Sequence, residues 1–226
     1  MTAVVVLRPE PGNAATCTAA RALGLEPCAA PLFATVPVDW PPPAPPLPDG
    51  LLIGSAAVFA HGGAGLADLR TVPVHAVGAT TARAAMTAGF TVATTGSGGL
   101  QAVVDTVAPG HYLRLAGEAH VPLVLPDEVR VDTTVVYAAR PLPLAEAAVD
   151  LIRSQPVVAL LHSAEAARHF AAECTRLGLP RAQIALACLG ARIAPAAGSG
   201  WRTLAVAAAT DDQAVLSLAR QMCQSL

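Results

Sequence analysis

The stretch AVGATTARAAMTAGF, residues 76–90, sets a glycine and two threonines between an apolar strand pattern and an alanine-rich helix. CLGARIAPAAGSGW, residues 188–201, follows much the same grammar. Gly78 and Thr81 in the first copy, and Gly190 in the second, stand where a strand gives way to a helix. A glycine there lets a ligand come close to the backbone, and the free amides and partial positive charge of a helix start hold anions without a charged side chain. Ser55 in LLIGSAAVF and Ser163 in ALLHSAEAA sit in turns of the same kind and offer hydroxyls, though each is equally a candidate helix cap. Arg8, after the first strand, presents a fork suited to a carboxylate or to a structural ion pair, and both readings stand.

Equipment for other chemistries is missing. The chain contains no lysine, which excludes Schiff-base chemistry, pyridoxal phosphate anchoring and a P-loop. GGAG (62–65) and GSGG (96–99) do not complete a dinucleotide fingerprint. Cys17, Cys28, Cys174, Cys188 and Cys223 are odd in number and scattered, with no C-x-x-C, so buried free thiols are expected and neither disulfides nor zinc. Arg114, Glu118 and His120 form no triad or metal spacing, and His162 beside Ser163 reads as a cleft-edge or core histidine. A net charge of −2 without a basic cluster argues against nucleic acid or an anionic membrane as partner. No apolar run reaches the roughly 18 to 20 residues of a membrane span, and MTAVVVLRPEPG lacks a basic leader, so a cytoplasmic protein is expected.

The elements that must position these residues follow from periodicity. AVVVLRP (3–9) reads as a buried strand, and NAATCTAARALGLEP as a helix capped by Asn13 and stopped by Gly24. PCAAPLFATVPV reads as the next strand, and PPPAPPLP (41–48) as a stiff connector. Strand–turn–helix units resume at GLLIGSAAVFAH, PVHAVGATTARAAMTAGF and TVATTGSGGLQAVVDTV. After the strand HYLRLAG the expected helix is missing or stunted, because EAHVPLVLPDEVRV carries Pro122 and Pro126. TTVVYAA (133–139) is a β-branched strand, and three more units complete the chain.

Blocks recur in order: Arg8 with Arg114, Ser55 with Ser163, Gly78 with Gly190, and GLQAVV with DQAVLS, at offsets rising from 106 to 112 residues. This implies an internal duplication and two like α/β domains, each a parallel sheet flanked by helices, with ligands at the carboxyl ends of the strands and a cleft between the domains.

The order of these blocks, with Arg-Pro after the first strand, GSAAV, AVGATTARAA, TVVY, LGARIAPAA and the closing W..L.VA...DDQAVLSLA, resembles the uroporphyrinogen-III synthase family over essentially the whole chain. The resemblance implies a discontinuous first domain of residues 1–33 plus 140–226, a second domain of 39–132, and two hinge strands, 34–38 and 133–139. It implies a monomeric cytoplasmic lyase that closes hydroxymethylbilane, a linear tetrapyrrole with eight carboxylates, with loss of water and inversion of the terminal ring, using no cofactor and no metal. Tyr137 matches the family's hinge-strand tyrosine, a phenol able to donate a proton to the departing hydroxyl or an aromatic filling the joint between domains. Arg8, Ser55, Gly78, Thr81, Ser163 and Gly190 would hold the substrate's carboxylates. The chain departs from the family at Ile193, where a threonine is usual, at Gly54, where a polar residue is frequent, and in the shortened segment after Gly117. The alternative is a non-catalytic clamp of the same build that binds a tetrapyrrole or another polyanion.

Overall fold

The computed structural model describes residues 3–41 and 43–225. Position 42 of the proline run lies outside the described residues, and the rest of 41–48 forms neither helix nor strand. The chain separates into two compact units, residues 1–34 with 140–226 and residues 35–139.

In the first unit, β1 (Ala3–Val6), β2 (Glu26–Ala29), β9 (Val157–Leu161), β10 (Ile184–Cys188) and β11 (Thr203–Val206) form a parallel sheet of order β11-β10-β9-β1-β2. The run AVVVL is apolar throughout because both faces are covered. Val4 and Val6 pack with Cys17 and Ala20 of α1 (Gly12–Ala22) and with Val215 and Ala219 of α8 (Asp212–Gln224). Val5 and Leu7 pack on the other face with Ile152 of α5 (Glu146–Ser154) and Phe170 of α6 (Ala164–Arg176). Phe170 is fully buried and stacks on Trp201, which follows the short α7 (Ala194–Ala197), ring centroids 5.6 Å apart. Burial of such a ring stabilises by roughly 1.5–3 kcal/mol.

The second unit contains the sheet β3-β8-β7-β4-β5-β6. Its strands are β3 (Phe33–Pro37), which begins in the first unit, β4 (Gly50–Ile53), β5 (Val74–Val77), β6 (Val92–Gly96), β7 (Gly110–Gly117) and β8 (Val129–Pro141). The pairings β8-β7-β4-β5-β6 are parallel. Its helices are short: α2 (Ala57–His61), α3 (Gly78–Thr87) and α4 (Leu100–Val104), with a 3-10 turn at Ala64–Leu69. Residues 118–128, between β7 and β8, hold no helix. Pro122 and Pro126 remove the amide donors that a helix there would need.

The strand orders show how the duplication is used. Reading β2-β1-β9-β10-β11 beside β8-β7-β4-β5-β6 aligns the two parallel arrays. Each therefore combines the opening strands of one copy with the closing three of the other. The register also corrects one correspondence. Leu160, three residues before Ser163, pairs with Val6, and Leu52, three before Ser55, pairs with Arg114. Arg114 is thus the structural equivalent of Val6, not of Arg8. The short Arg-containing blocks match in type but lie two residues out of step.

Two local readings are corrected as well. Asn13 does not cap α1: it is wholly buried inside the helix, and its Nδ2 donates to the carbonyls of Val6 at 2.8 Å and Arg8 at 2.9 Å, tying helix to strand end. PCAAPLFATVPV is two strands in different sheets, β2 and β3, separated around Pro31, which has no N–H for a ladder.

Candidate active site

The best-defined cavity in the second unit lies at the carboxyl end of its sheet, where β4, β7 and β8 approach the start of α4 and the irregular 118–128 segment. Its volume is about 430 Å³, and its lining includes Ser55, Gln101, Arg114, Gly117, His120 and Tyr137. Ser55 follows β4 directly, and its hydroxyl accepts from the Ala57 amide at 3.2 Å, so it caps the turn while facing the cavity. Tyr137 comes from β8 and lies over Gly117 of β7, where an added Cβ would fall 2.5 Å from the ring. The Tyr137 ring also neighbours His61, centroids 6.5 Å apart.

The 118–128 segment acts as a strap over this cavity. Gln101 clamps it with both ends of its amide: Nε2 donates to the Val124 carbonyl at 2.7 Å, and Oε1 accepts from the Val124 amide at 2.9 Å. Arg114 Nη1 donates to the Val121 carbonyl at 2.8 Å, and a His120 ring nitrogen meets the Gly117 carbonyl at 2.8 Å. Arg114 itself is 7% exposed, and its Nε has no hydrogen-bond partner. Burial pulls its guanidinium below its ordinary value, offset by the nearby Tyr137 phenol. An arginine keeps its charge under such a shift.

In the first unit, the strand ends gather a different cluster. Arg8 Nη1 meets Asp212 Oδ1 at 2.8 Å and Thr16 Oγ1 at 3.2 Å, while Thr16 donates to Asp212 Oδ2 at 2.6 Å and His162 Nε2 lies 2.8 Å from Asp212 Oδ1. Burial opposes the Asp212 charge, yet hydrogen bonds from Thr16 and His162 and the Arg8 charge hold its carboxyl below its ordinary value. Burial pushes His162 down, outweighing its hydrogen bond to Asp212. The imidazole is therefore neutral at pH 7 and carries no charge of its own toward an anion.

The residues singled out from sequence fall into three groups. Ser55 and Tyr137 share the cavity. Ser163 caps α6, accepting from the Ala166 amide at 3.1 Å, and Gly190 forms the turn after β10, where its Cα faces Thr210; both belong to the first unit. Arg8, also in that unit, is engaged by Asp212 and Thr16. Gly78 opens α3 with φ +78° and open space where a Cβ would stand. Thr81 is 5% exposed and lies with Ala82 and Ala85 among the buried residues of α3. Ile193 is 7% exposed and packs into the core that holds Phe170. Gly117 carries no sequence signal beyond its turn type, whereas Arg114 and Gln101 each fall in a repeated block, Gln101 in GLQAVV.

A family model described as HEM4, uroporphyrinogen-III synthase HemD, matches residues 14–217. The chain belongs to the uroporphyrinogen-III synthase family. Among solved structures it is similar to uroporphyrinogen-III synthetase from Helicobacter pylori 26695, with 16% identity, a TM-score of 0.67 and coverage of 98% of this chain and 100% of that one. It is also similar to a mutant uroporphyrinogen III synthase from the extremely thermophilic bacterium Thermus thermophilus, with 18% identity, a TM-score of 0.52 and full coverage of both chains. At these identities the two structures show the shared fold: two α/β units with parallel-dominated sheets flanked by helices. No curated protein matches the chain in sequence. The family is one of enzymes of haem synthesis, and among the described residues no helix is long and apolar enough to cross a membrane.

Proposed function

We propose that this uroporphyrinogen-III synthase family member is a lyase that cyclises hydroxymethylbilane with loss of water and inversion of the terminal pyrrole ring. The observation that carries the reading is the family match over residues 14–217. The cavity containing Ser55 and Tyr137 gives it a chemical locus. Tyr137 is the proton donor in this reading. As the hydroxymethyl C–O bond breaks, its phenol protonates the leaving oxygen to release water, and the lone pair of the adjacent pyrrole nitrogen stabilises the carbon left behind. The substituted α-carbon of the terminal pyrrole attacks that carbon to give a spiro intermediate. The bond from this α-carbon to its original methylene bridge then breaks, leaving a second pyrrole-stabilised cationic carbon. The free α-carbon of the same pyrrole attacks this second carbon, so that the ring closes with the last pyrrole inverted. The pyrrole carbon that rearomatises releases the proton that restores the phenol. Because the pyrrole supplies most of the driving force, the protein's main contribution is to hold the chain ends in the inverting geometry.

Ser55, Gly78 and Thr81 in the second unit, and Arg8, Ser163 and Gly190 in the first, are the positions proposed to meet substrate carboxylates through strand-end turns. The same reading places the enzyme in the cytoplasm as a monomer, with residues 34–38 and 133–139 as a hinge. One observation favours a second reading, a binding clamp without chemistry: Ile193 brings no hydroxyl to a turn where the family commonly has a threonine. The deciding experiment supplies hydroxymethylbilane generated in place by its own upstream deaminase, oxidises the product and separates the type I and type III isomers. An excess of type III supports cyclisation with inversion, and type I alone, as in the protein-free control, refutes it.

A further inference from the structure

Arg114 is out of place by the logic of its own fold. Its register equivalent, Val6, is a core valine packed under α1 and α8. In the second unit the element matching α8 is the short α4, and the strap replaces the helix that would match α1. What α1 fills in one unit is open in the other, and Arg114 is among the residues that line the opening. Burying a charge without a counter-charge is costly unless something pairs with it. Arg8 has Asp212, but among the described residues no carboxylate forms an ion pair with Arg114. Its Nε–H is unpartnered, and its one hydrogen bond goes to a neutral carbonyl. The cavity volume, about 430 Å³, sits at the small end of ligand pockets, which suits one arm of a large molecule rather than the whole.

We propose that Arg114 anchors a carboxylate subsite, in which the cavity between β4, β7, β8 and the strap receives one acid arm of the substrate and its oxygens take N–H bonds from the buried guanidinium, with Ser55 and His120 beside it. The identity of that arm, an acetate or propionate on a pyrrole, rests on the proposed function. The existence of an anion subsite does not.

The test uses the intact protein and a pyrrole carrying a single propionate arm, with the corresponding amide as control. The arginine Nε–H resonances are followed by nitrogen NMR, the Arg114 signal being assigned by its absence from Arg114→Met. The expected result is a saturable shift of that signal with the acid and none with the amide. Arg114→Met is expected to melt no lower than wild type, to lose probe affinity at least tenfold and to raise KM for hydroxymethylbilane at least tenfold, with Arg114→Lys intermediate. An unmoved Arg114 signal, or equal probe binding by wild type and Arg114→Met, overturns the proposal; should the methionine variant not fold, Arg114→Lys supplies the signal assignment and the binding comparison. If the probe binds through Arg114 while only type I isomer forms, the subsite stands and the proposed activity falls.

Discussion

Gly117 and Tyr137 are register partners at the point where β7 and β8 slip out of even pairing, and no side chain fits between the glycine Cα and the phenol ring. The absence of a Cβ on one strand fixes where the ring of the other rests. Tyr137→Phe is expected to retain the fold and lower turnover about tenfold, below the usual range of general acid effects, because the pyrrole assists departure. Gly117→Val is expected to displace the ring and cost about 1–3 kcal/mol of stability by overpacking. Isomer ratio and kcat for both variants, with thermal melting, check the pair. Wild-type turnover in Tyr137→Phe would remove the tyrosine from the chemistry.

Arg8 and Asp212 hold the strand ends of the first unit together, with side chains about one third exposed. Asp212→Ala strands Arg8 and removes an acceptor from both Thr16 and His162. The expected cost is about 1–3 kcal/mol, less than for a fully buried pair because solvent screens it. Arg8→Ala is expected to cost stability in the same range while moving KM for hydroxymethylbilane less than Arg114→Met does. A larger KM effect at Arg8 in steady-state kinetics would return the main carboxylate contact to the first unit.

Acid should loosen the first unit through Glu173. This buried carboxylate takes two bonds from Arg176 and one from the Leu144 amide, and the Arg176 hydrogen bonds, against opposing burial, hold it at about 2 instead of 4.5. A carboxyl lowered on folding stabilises the native state above its unfolded value and loses that contribution as pH falls through the folded one. The window is therefore pH 4.5 down to about 2. The contribution at neutral pH is at most about 3 kcal/mol. Chemical denaturation at stepped pH should show this slope in wild type and a flatter one in Glu173→Gln.

Thiol chemistry should be slow. Burial pushes Cys174 up to about 12 and Cys188 up to about 11, and raises Cys17 as well. Thiolate is the reactive form. With a disulfide reagent at pH 8 the native protein is expected to react only at Cys28 and Cys223, which are half-buried, and at all five positions once unfolded. Mass mapping of the adducts reads the result.

Much of this fold is legible because its signals are local. Apolar runs that end in Gly, Ser or Thr give strand ends and helix starts, and Pro122 and Pro126 announce a segment that cannot be helical. Residues whose roles depend on distant partners are not legible in this way. Asn13 looks like a cap until strand β1 offers it two carbonyls, and Thr81 looks like a surface hydroxyl until α3 settles on its sheet. The match of Arg8 with Arg114 fails for a similar reason. Sequence spacing records residue types, whereas pairing register records which positions stand opposite one another, and here the two disagree by two residues. Tyr137 is visible only through the family pattern, because nothing in TTVVYAA says that a glycine waits opposite.

The exchange of strands between the two copies also sets the order in which the chain matures. As the polypeptide emerges from the ribosome, β1 and β2 appear first, but β9, which pairs with β1 along its whole length, is not made until residue 161. All strands of the sheet in the 35–139 unit, β8 included, are made before then. It is the part equipped to fold early, while the opening strands wait as an unpaired apolar edge of the kind that chaperones shield.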